Sequence, residues 1–353
     1  MRQNGTDRLS QRKLQVLAAI VDAYVASGEP VGSKLLAEQL GVSSATVRNE
    51  MAALAESGYL EQPHTSAGRI PSQRGYRMYV DHLMGEMTLS PEEQMHMDRM
   101  LLLDAYEPEQ LLENASRLLA GMTRFAAVST TPSGSGATIR GVQFAQTGRH
   151  TAMAILMISN GGMKNRIFHC DFDITQDMMR IFFRVLNERL AGMALSKVTP
   201  AFIQKLAASL GELAIIMSSA IMAVLEMAQD ALDAEIRLNG QMNLLFYREY
   251  DSGGVRRIVD FLESRQALCR LLFGESAPAE KTSPVRVLIG QETNRPELQN
   301  SSVIVARYDM AGQPAGVIGV LGPTRMDYRS LVARMAYLSS SVGRTLTALM
   351  QEE

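Results

Sequence analysis

Arg48 and Asn49 follow Thr46 closely in the stretch Val42-Ser43-Ser44-Ala45-Thr46-Val47-Arg48-Asn49-Glu50-Met51. An arginine fork can bond guanine and an asparagine amide can bond adenine, each through paired hydrogen bonds in the major groove. That chemistry needs the two side chains on the exposed N-terminal face of a helix with a firm support behind it. Two helices meeting steeply through a short turn give such a support. They need a small residue at the crossing, a turn residue that tolerates left-handed backbone, and an apolar residue packing back from the second helix. Ala37, Gly41 and Val47 have these types at the helix-turn-helix spacing. Leu36, Leu40, Met51 and Leu54 complete a core, so Thr46, Arg48 and Asn49 are expected to point outward. The same triplet occurs in ordinary helical hairpins, where Arg48 and Asn49 would be no more than a solvated face.

The run 62–80 separates the two readings, because it holds Arg69, Arg74 and Arg77 and no carboxylate. Within 59–70, two short extended pieces flank the turn-forming Pro63-His64-Thr65-Ser66-Ala67-Gly68, which predicts a small hairpin. Such a wing beside a recognition helix reaches phosphates or the minor groove. The candidate DNA contacts are therefore Ser43, Ser44, Thr46, Arg48 and Asn49 on the helix, and Thr65, Arg69 and Arg74 in and after the wing.

The elements that must carry these residues are legible. An apolar stripe at Leu14, Leu17, Ile20, Val21 and Tyr24 predicts a helix that starts after Ser10 and ends at Gly28 and Pro30. A second helix, capped by Ser33, is expected to Leu40, and a third over 44–57. Residues 73–84 read as helix and 85–91 as linker. Beyond a helical connector at 107–123, strands are expected at 125–128, 138–144, 151–159 and 164–168, with Asn160-Gly161-Gly162 a hairpin signal. A helix at 175–190 covers them, a helix-rich stretch follows over 196–282, and strands return at 285–289, 302–308 and 316–321 before a last helix at 327–349. Strands on both sides of a helical block predict one α+β domain interrupted by an insertion, although two consecutive domains would give a similar pattern.

Composition bounds the function. The 353 residues suggest two or three domains, and 46% hydrophobic with 20% charged residues is ordinary for a folded globular chain. The net charge of −2 hides a small asymmetry: the first eighty residues hold nine Lys/Arg against seven Asp/Glu. Cys170 and Cys269 are too few for a disulfide framework or a metal knuckle and fit a reducing cytoplasm. The N-terminus has no apolar core of the kind an export signal needs. The most apolar run, 213–225, is too short to span a bilayer. His64, His82, His96, His150 and His169 show no HExxH spacing, so no metal is expected. No phosphate-binding glycine loop or GxSxG elbow occurs, and in His169-Cys170-Asp171 neighbouring side chains on a strand face opposite ways. Neither a catalytic site nor a cofactor is expected.

At Gly32-Ser33-Lys34, at 42–51, and above all at 58–71, GYLEQPHTSAGRIP, the sequence resembles the HrcA family of heat-inducible transcription repressors. A second match, Gly322-Pro323-Thr324-Arg325-Met326-Asp327-Tyr328 with the strand before it, lies near the other end, and 196–282 matches more loosely. Read from its residues alone, that second match is a strand end, a turn and a helix start. The resemblance implies a winged helix-turn-helix over 1–85, a connector over 86–106, a GAF-like α+β domain over 107–195 and 283–353, and a helix-rich inserted dimerisation domain over 196–282. It also implies a homodimer that represses chaperone operons from an inverted-repeat CIRCE operator and depends on a GroEL-type chaperonin. Ala220, Met222 and Leu225 are the expected dimer contacts. A GAF-like fold leaves a small-molecule-sensing regulator as the alternative.

Overall fold

The computed structural model describes residues 9–351 apart from 65–66, 106, 133, 174, 212–213, 216 and 275–283. The N-terminal unit contains α1 (Gln11–Ser27), α2 (Ser33–Leu40), α3 (Ser44–Glu56), an antiparallel pair of β1 (Leu60–Glu61) and β2 (Ile70–Pro71), and α4 (Gln73–Met78). Side-chain chemistry fixes the ends. Ser10 caps α1 by accepting from the Lys13 N–H at 3.3 Å, and Gly28 closes it at φ 71°. Gly41, at φ 66°, ends α2 and turns the chain into α3. Leu17, Ile20, Leu36, Val47 and Leu54 are buried together, as the small-residue spacing predicts.

The connector is not an open linker. It contains α5 (Pro91–Leu101), whose Glu93 accepts from Arg334 at 2.7 Å and whose Asp98 accepts from Tyr337 at 2.7 Å, both on the C-terminal helix. The main sheet is five-stranded and antiparallel, in the order β7 (Ile236–Asn239), β3 (Ala126–Thr130), β10 (Gln313–Pro323), β9 (Ser301–Met310), β8 (Val285–Ile289). Alternation along the strands sends side chains to two cores. Ala127, Ile304, Ile318 and Val320 join α6 (Pro108–Thr123) and the long C-terminal helix α12 (Tyr328–Gln351) in a core continuous with that of the N-terminal unit. Val128, Val303, Val305 and Val317 face α10 (Ser252–Glu263) and α11 (Arg265–Phe273).

The interruption exists, with bounds that differ from the expected 196–282. The chain leaves the main sheet after Thr130 and rejoins it at Ile236, where β7 pairs with β3 in the register Ala127↔Asn239 to Thr130↔Ile236. The Thr131 N–H on the Glu235 carbonyl (2.9 Å) and the Glu235 N–H on the Thr131 hydroxyl (2.7 Å) close the neck. Between them, β4 (Ile139–Gln146), β5 (Thr151–Ile158) and β6 (Met163–His169) form a separate antiparallel sheet packed on α7 (Gln176–Leu190), α8 (Pro200–Leu210) and α9 (Ser218–Leu232) around its own core. Residues 138–190 thus belong to the insert, and 236–273 belong to the main domain. Apolar alternation marks a strand but says nothing about which sheet it joins, since that depends on partners distant in sequence.

Candidate nucleic-acid interface

The N-terminus of α3 is built by hydroxyls. Ser43 caps the helix by accepting from the Thr46 N–H at 3.1 Å, and its Oγ lies 2.8 Å from the Thr46 hydroxyl. Ser44 Oγ sits 3.0 Å from Ser33 Oγ on α2. Ser33 is therefore not the cap that its type suggests. Gly32 holds that position with no side-chain bond, and the Ser33 hydroxyl ties the two helix starts together. Val47, Met51 and Leu54 point into the core, so their helical neighbours Arg48 and Asn49 are exposed. Neither has a side-chain partner among the described residues, and each is free to bond something outside the chain.

The wing stands beside this helix. The Arg69 backbone exchanges two 2.9 Å hydrogen bonds with Val31, which adds a third extended segment to the hairpin. Gly68 permits that closeness, because a Cβ there would lie 2.4 Å from the Val31 carbonyl oxygen. The Arg69 side chain has no partner among the described residues, and the residue is half-buried. Thr65 lies outside the described residues. Arg74 is exposed but already engaged: it donates to the Ser57 carbonyl at 3.1 Å and to the Tyr59 hydroxyl at 3.3 Å, and lies 4.5 Å from the centre of the Tyr59 ring. Its position braces the base of the wing.

The expected dimer residues are not brought together. Ala220 and Leu225 are buried in the insert's own core, and only Met222, 47% exposed, is available on the outer side of α9. An apolar helix reads alike whether it packs within its own chain or against a second one.

Arg77 was not among the candidate contacts, and it faces the main domain. It pairs with Glu292 and donates to the Val287 carbonyl at 2.8 Å. Burial weakens its hold on a proton, yet the hydrogen bond and charge of Glu292, with Asp81 adding, raise its pKa above the ordinary arginine value. The acid-free run that contains Arg77 gives no sign of a carboxylate 215 positions away.

Comparison with known proteins decides the family. Residues 8–80 match the winged helix-turn-helix transcription repressor, HrcA DNA-binding family, and residues 109–332 match the HrcA protein C terminal domain. The chain belongs to the HrcA family. Among relatives named heat-inducible transcription repressor HrcA, the one from Desulforudis audaxviator is 34% identical over 97% of this chain and 99% of its own. The one from Pelotomaculum thermopropionicum is 35% identical over 98% and 99%. A crystal structure of a hypothetical protein at 2.2 Å resolution has the same fold, with a TM-score of 0.64, 21% identity, and coverage of 97% of this chain and all of that one. Within the HrcA assignment, the 8–80 match contains α1 to α4 and the wing, and the 109–332 match runs through the turn at 322–328. No described helix is long and apolar enough to cross a membrane.

Proposed function

We propose that this chain is a heat-inducible repressor that grips double-stranded DNA through its winged helix-turn-helix. Two copies bind together on an inverted repeat of the CIRCE type at chaperone operons. The observation that carries the reading is the outer face of α3, where Arg48 and Asn49 are exposed without a partner in the chain, between a hydroxyl-built helix start and the wing. Exposed Arg and Asn at that place suit base edges, and Ser43, Ser44, Thr46, Thr65, Arg69 and Arg74 serve as backbone contacts. Membership of the HrcA family supports repression and heat induction.

The five-stranded sheet with its helical layers is the GAF-like domain, and the insert over 131–235 is the dimerisation domain. Its contact lies on the outer face of the β4–β5–β6 sheet, where the cross-strand neighbours Met153 and Ile167, and Met157 and Met163, form an apolar surface. Ile167 is 65% and Met163 59% exposed, and β6 is an edge strand, the kind of apolar edge that proteins keep covered. A two-fold axis through this face matches the symmetry of the operator. The chaperonin is of the GroEL type and recognises apolar surface such as this when the insert loosens.

A fluorescence-anisotropy titration with the promoter of a chaperone operon and a scrambled duplex tests the DNA reading. Tight, salt-sensitive binding to the promoter alone is expected. Equal binding to both duplexes would remove the assignment of α3 as the reading helix.

A further inference from the structure

The turn Gly322-Pro323-Thr324-Arg325-Met326-Asp327-Tyr328 joins β10 to α12 on the side that faces the N-terminal unit. Arg325 reaches across. Its Nη1 donates to the Val25 carbonyl in the last turn of α1 at 3.2 Å, and its Nε donates to Glu249 Oε1 at 2.7 Å, on the segment that follows β7 out of the insert. The last turn of α1 carries no basic residue of its own, so the Arg325 cation sits where a helix presents its carbonyl ends. Gly28 leaves room for it, since a Cβ at that position would lie 3.2 Å from the guanidinium carbon. The pair is largely removed from water, with side-chain exposure of 23% for Arg325 and 20% for Glu249. Beside it, the Tyr328 ring lies 5.6 Å from the Tyr76 ring of α4.

Two polar atoms in this junction, Tyr76 Oη and Glu249 Oε2, are buried without a partner among the described residues. An orphaned buried polar atom raises the free energy of the arrangement that buries it, so the junction is closed against an opposing cost. A cation that bonds two segments distant from its own turn is well placed to hold such a contact shut. Helix α1 packs directly on α3, so whatever fixes the end of α1 fixes the recognition helix.

We propose that Arg325 is a positioning residue for operator binding. Held by Glu249, it clamps the end of α1 and sets the angle at which the regulatory part carries each recognition helix. The clamp joins the main-domain segment that follows β7 to the DNA-reading unit, so a change passed from the insert through β7 is felt at α3. The proposal rests on the reading of a dimer on an inverted repeat. There, the geometry between two helices decides whether both half-sites are held together.

The test uses the full-length protein and three duplexes: one half-site, the natural inverted repeat, and the repeat with its spacer lengthened by about five base pairs, half a helical turn. Wild type is expected to prefer the natural spacing. Arg325→Ala should bind the single half-site as wild type does and lose the spacing preference by about tenfold or more, because a unit whose angle is no longer fixed at the end of α1 holds both sites in register less well. Glu249→Gln should move the same way to a smaller degree, and it keeps the test available if Arg325→Ala fails to fold. Amide exchange over 22–28 should quicken in both variants. Retention of the full spacing preference, equal loss on all three duplexes, or unchanged exchange at 22–28 would each overturn the clamp. If wild type itself shows no spacing preference, the operator reading fails and the exchange at 22–28 decides the clamp alone, faster exchange supporting it and unchanged exchange overturning it.

Discussion

Ser33 and Ser44 bring their hydroxyls to 3.0 Å, tying the first turn of α2 to the first turn of α3 where the recognition helix leaves its support. With Ser43 capping the same turn, three hydroxyls set the start of α3 before DNA arrives. Ser43→Ala should therefore cost about 1 kcal/mol of local stability, and Ser43→Gly only a few tenths, since a glycine cap keeps the backbone conformation. Faster amide exchange over 44–48 in the alanine variant, with 11–27 unchanged, is the expected observation. Uniform loss across the unit would show that the cap matters only to global folding.

Reading and gripping separate at Arg48 and Arg69, both without a side-chain partner in the described chain. Arg48→Ala should cost about 1–3 kcal/mol per half-site and relax base choice, whereas Arg69→Ala should weaken every sequence alike and lower the salt slope by about one. Titrations at several salt concentrations with operator and scrambled duplexes distinguish them. Unchanged discrimination in Arg48→Ala would place the reading face elsewhere.

Gly68 sits 2.4 Å, by its absent Cβ, from the Val31 carbonyl oxygen, and the obstacle is backbone. Gly68→Ala must push the wing away from Val31 and break the two 2.9 Å hydrogen bonds there, a change expected to cost about 2 kcal/mol or more. The measurable outcome is a drop in the melting temperature with loss of exchange protection at Val31 and Arg69. A variant with wild-type melting would mean that the wing shifts freely.

Much of the N-terminal unit is legible in the sequence because its signals are local. The start and stop of α1, the stop of α2 and the start of α3 depend on Ser10, Gly28, Gly41 and Ser43, whose chemistry acts within a few residues, so sequence reveals them. The short β7 was missed because Ile-Arg-Leu-Asn, in a register set by β3, has no periodicity long enough to read. The insert was expected too late in the chain for the same reason: strands 138–168 look alike whichever sheet they join. Arg325 read as turn filler because its partners, Val25 and Glu249, lie 300 and 76 positions away. Ser33 illustrates the limit in miniature, having the type of a cap and the position of a tie.

Acid should loosen the neck of the insert. The hydrogen bond from Lys164 holds the Glu235 carboxyl below the ordinary glutamate range; burial works against this, and the charges of Lys164, Arg237 and Arg265 add to it. A carboxyl whose folded pKa is lowered contributes stability that is fully present above its unfolded value, about pH 4.3, and is lost as pH falls through the lowered folded value. Glu235→Gln should therefore destabilise the insert at pH 7, with the difference from wild type shrinking as pH falls through the lowered folded value. Thermal melts across that range check the sign. A difference that grew on acidification would reverse it.

Heat should act on the insert before the DNA-reading unit. The cores of the N-terminal unit and of one face of the main sheet are continuous, whereas the insert has a core of its own, joined to the rest through the neck at Thr131 and Glu235. Nine of the 23 methionines fall within 131–235, and Met179, Met217 and Met227 are buried at the centre of that core. Methionine fills space without specifying a packing, so such a core opens more readily than one built from branched side chains. In the sequence, residues 196–282 read as one helix-rich stretch. The fold divides them at Ile236, and the part beyond it should keep the protection of the main sheet. Hydrogen exchange about ten degrees above growth temperature should show 137–232 losing protection first, with 236–273 and 11–78 holding longer. The opened insert would expose its apolar core to a GroEL-type chaperonin, and operator binding should return when chaperonin and ATP are added. Simultaneous loss across all three regions, or no recovery with chaperonin, would show that the insert is not the thermal element.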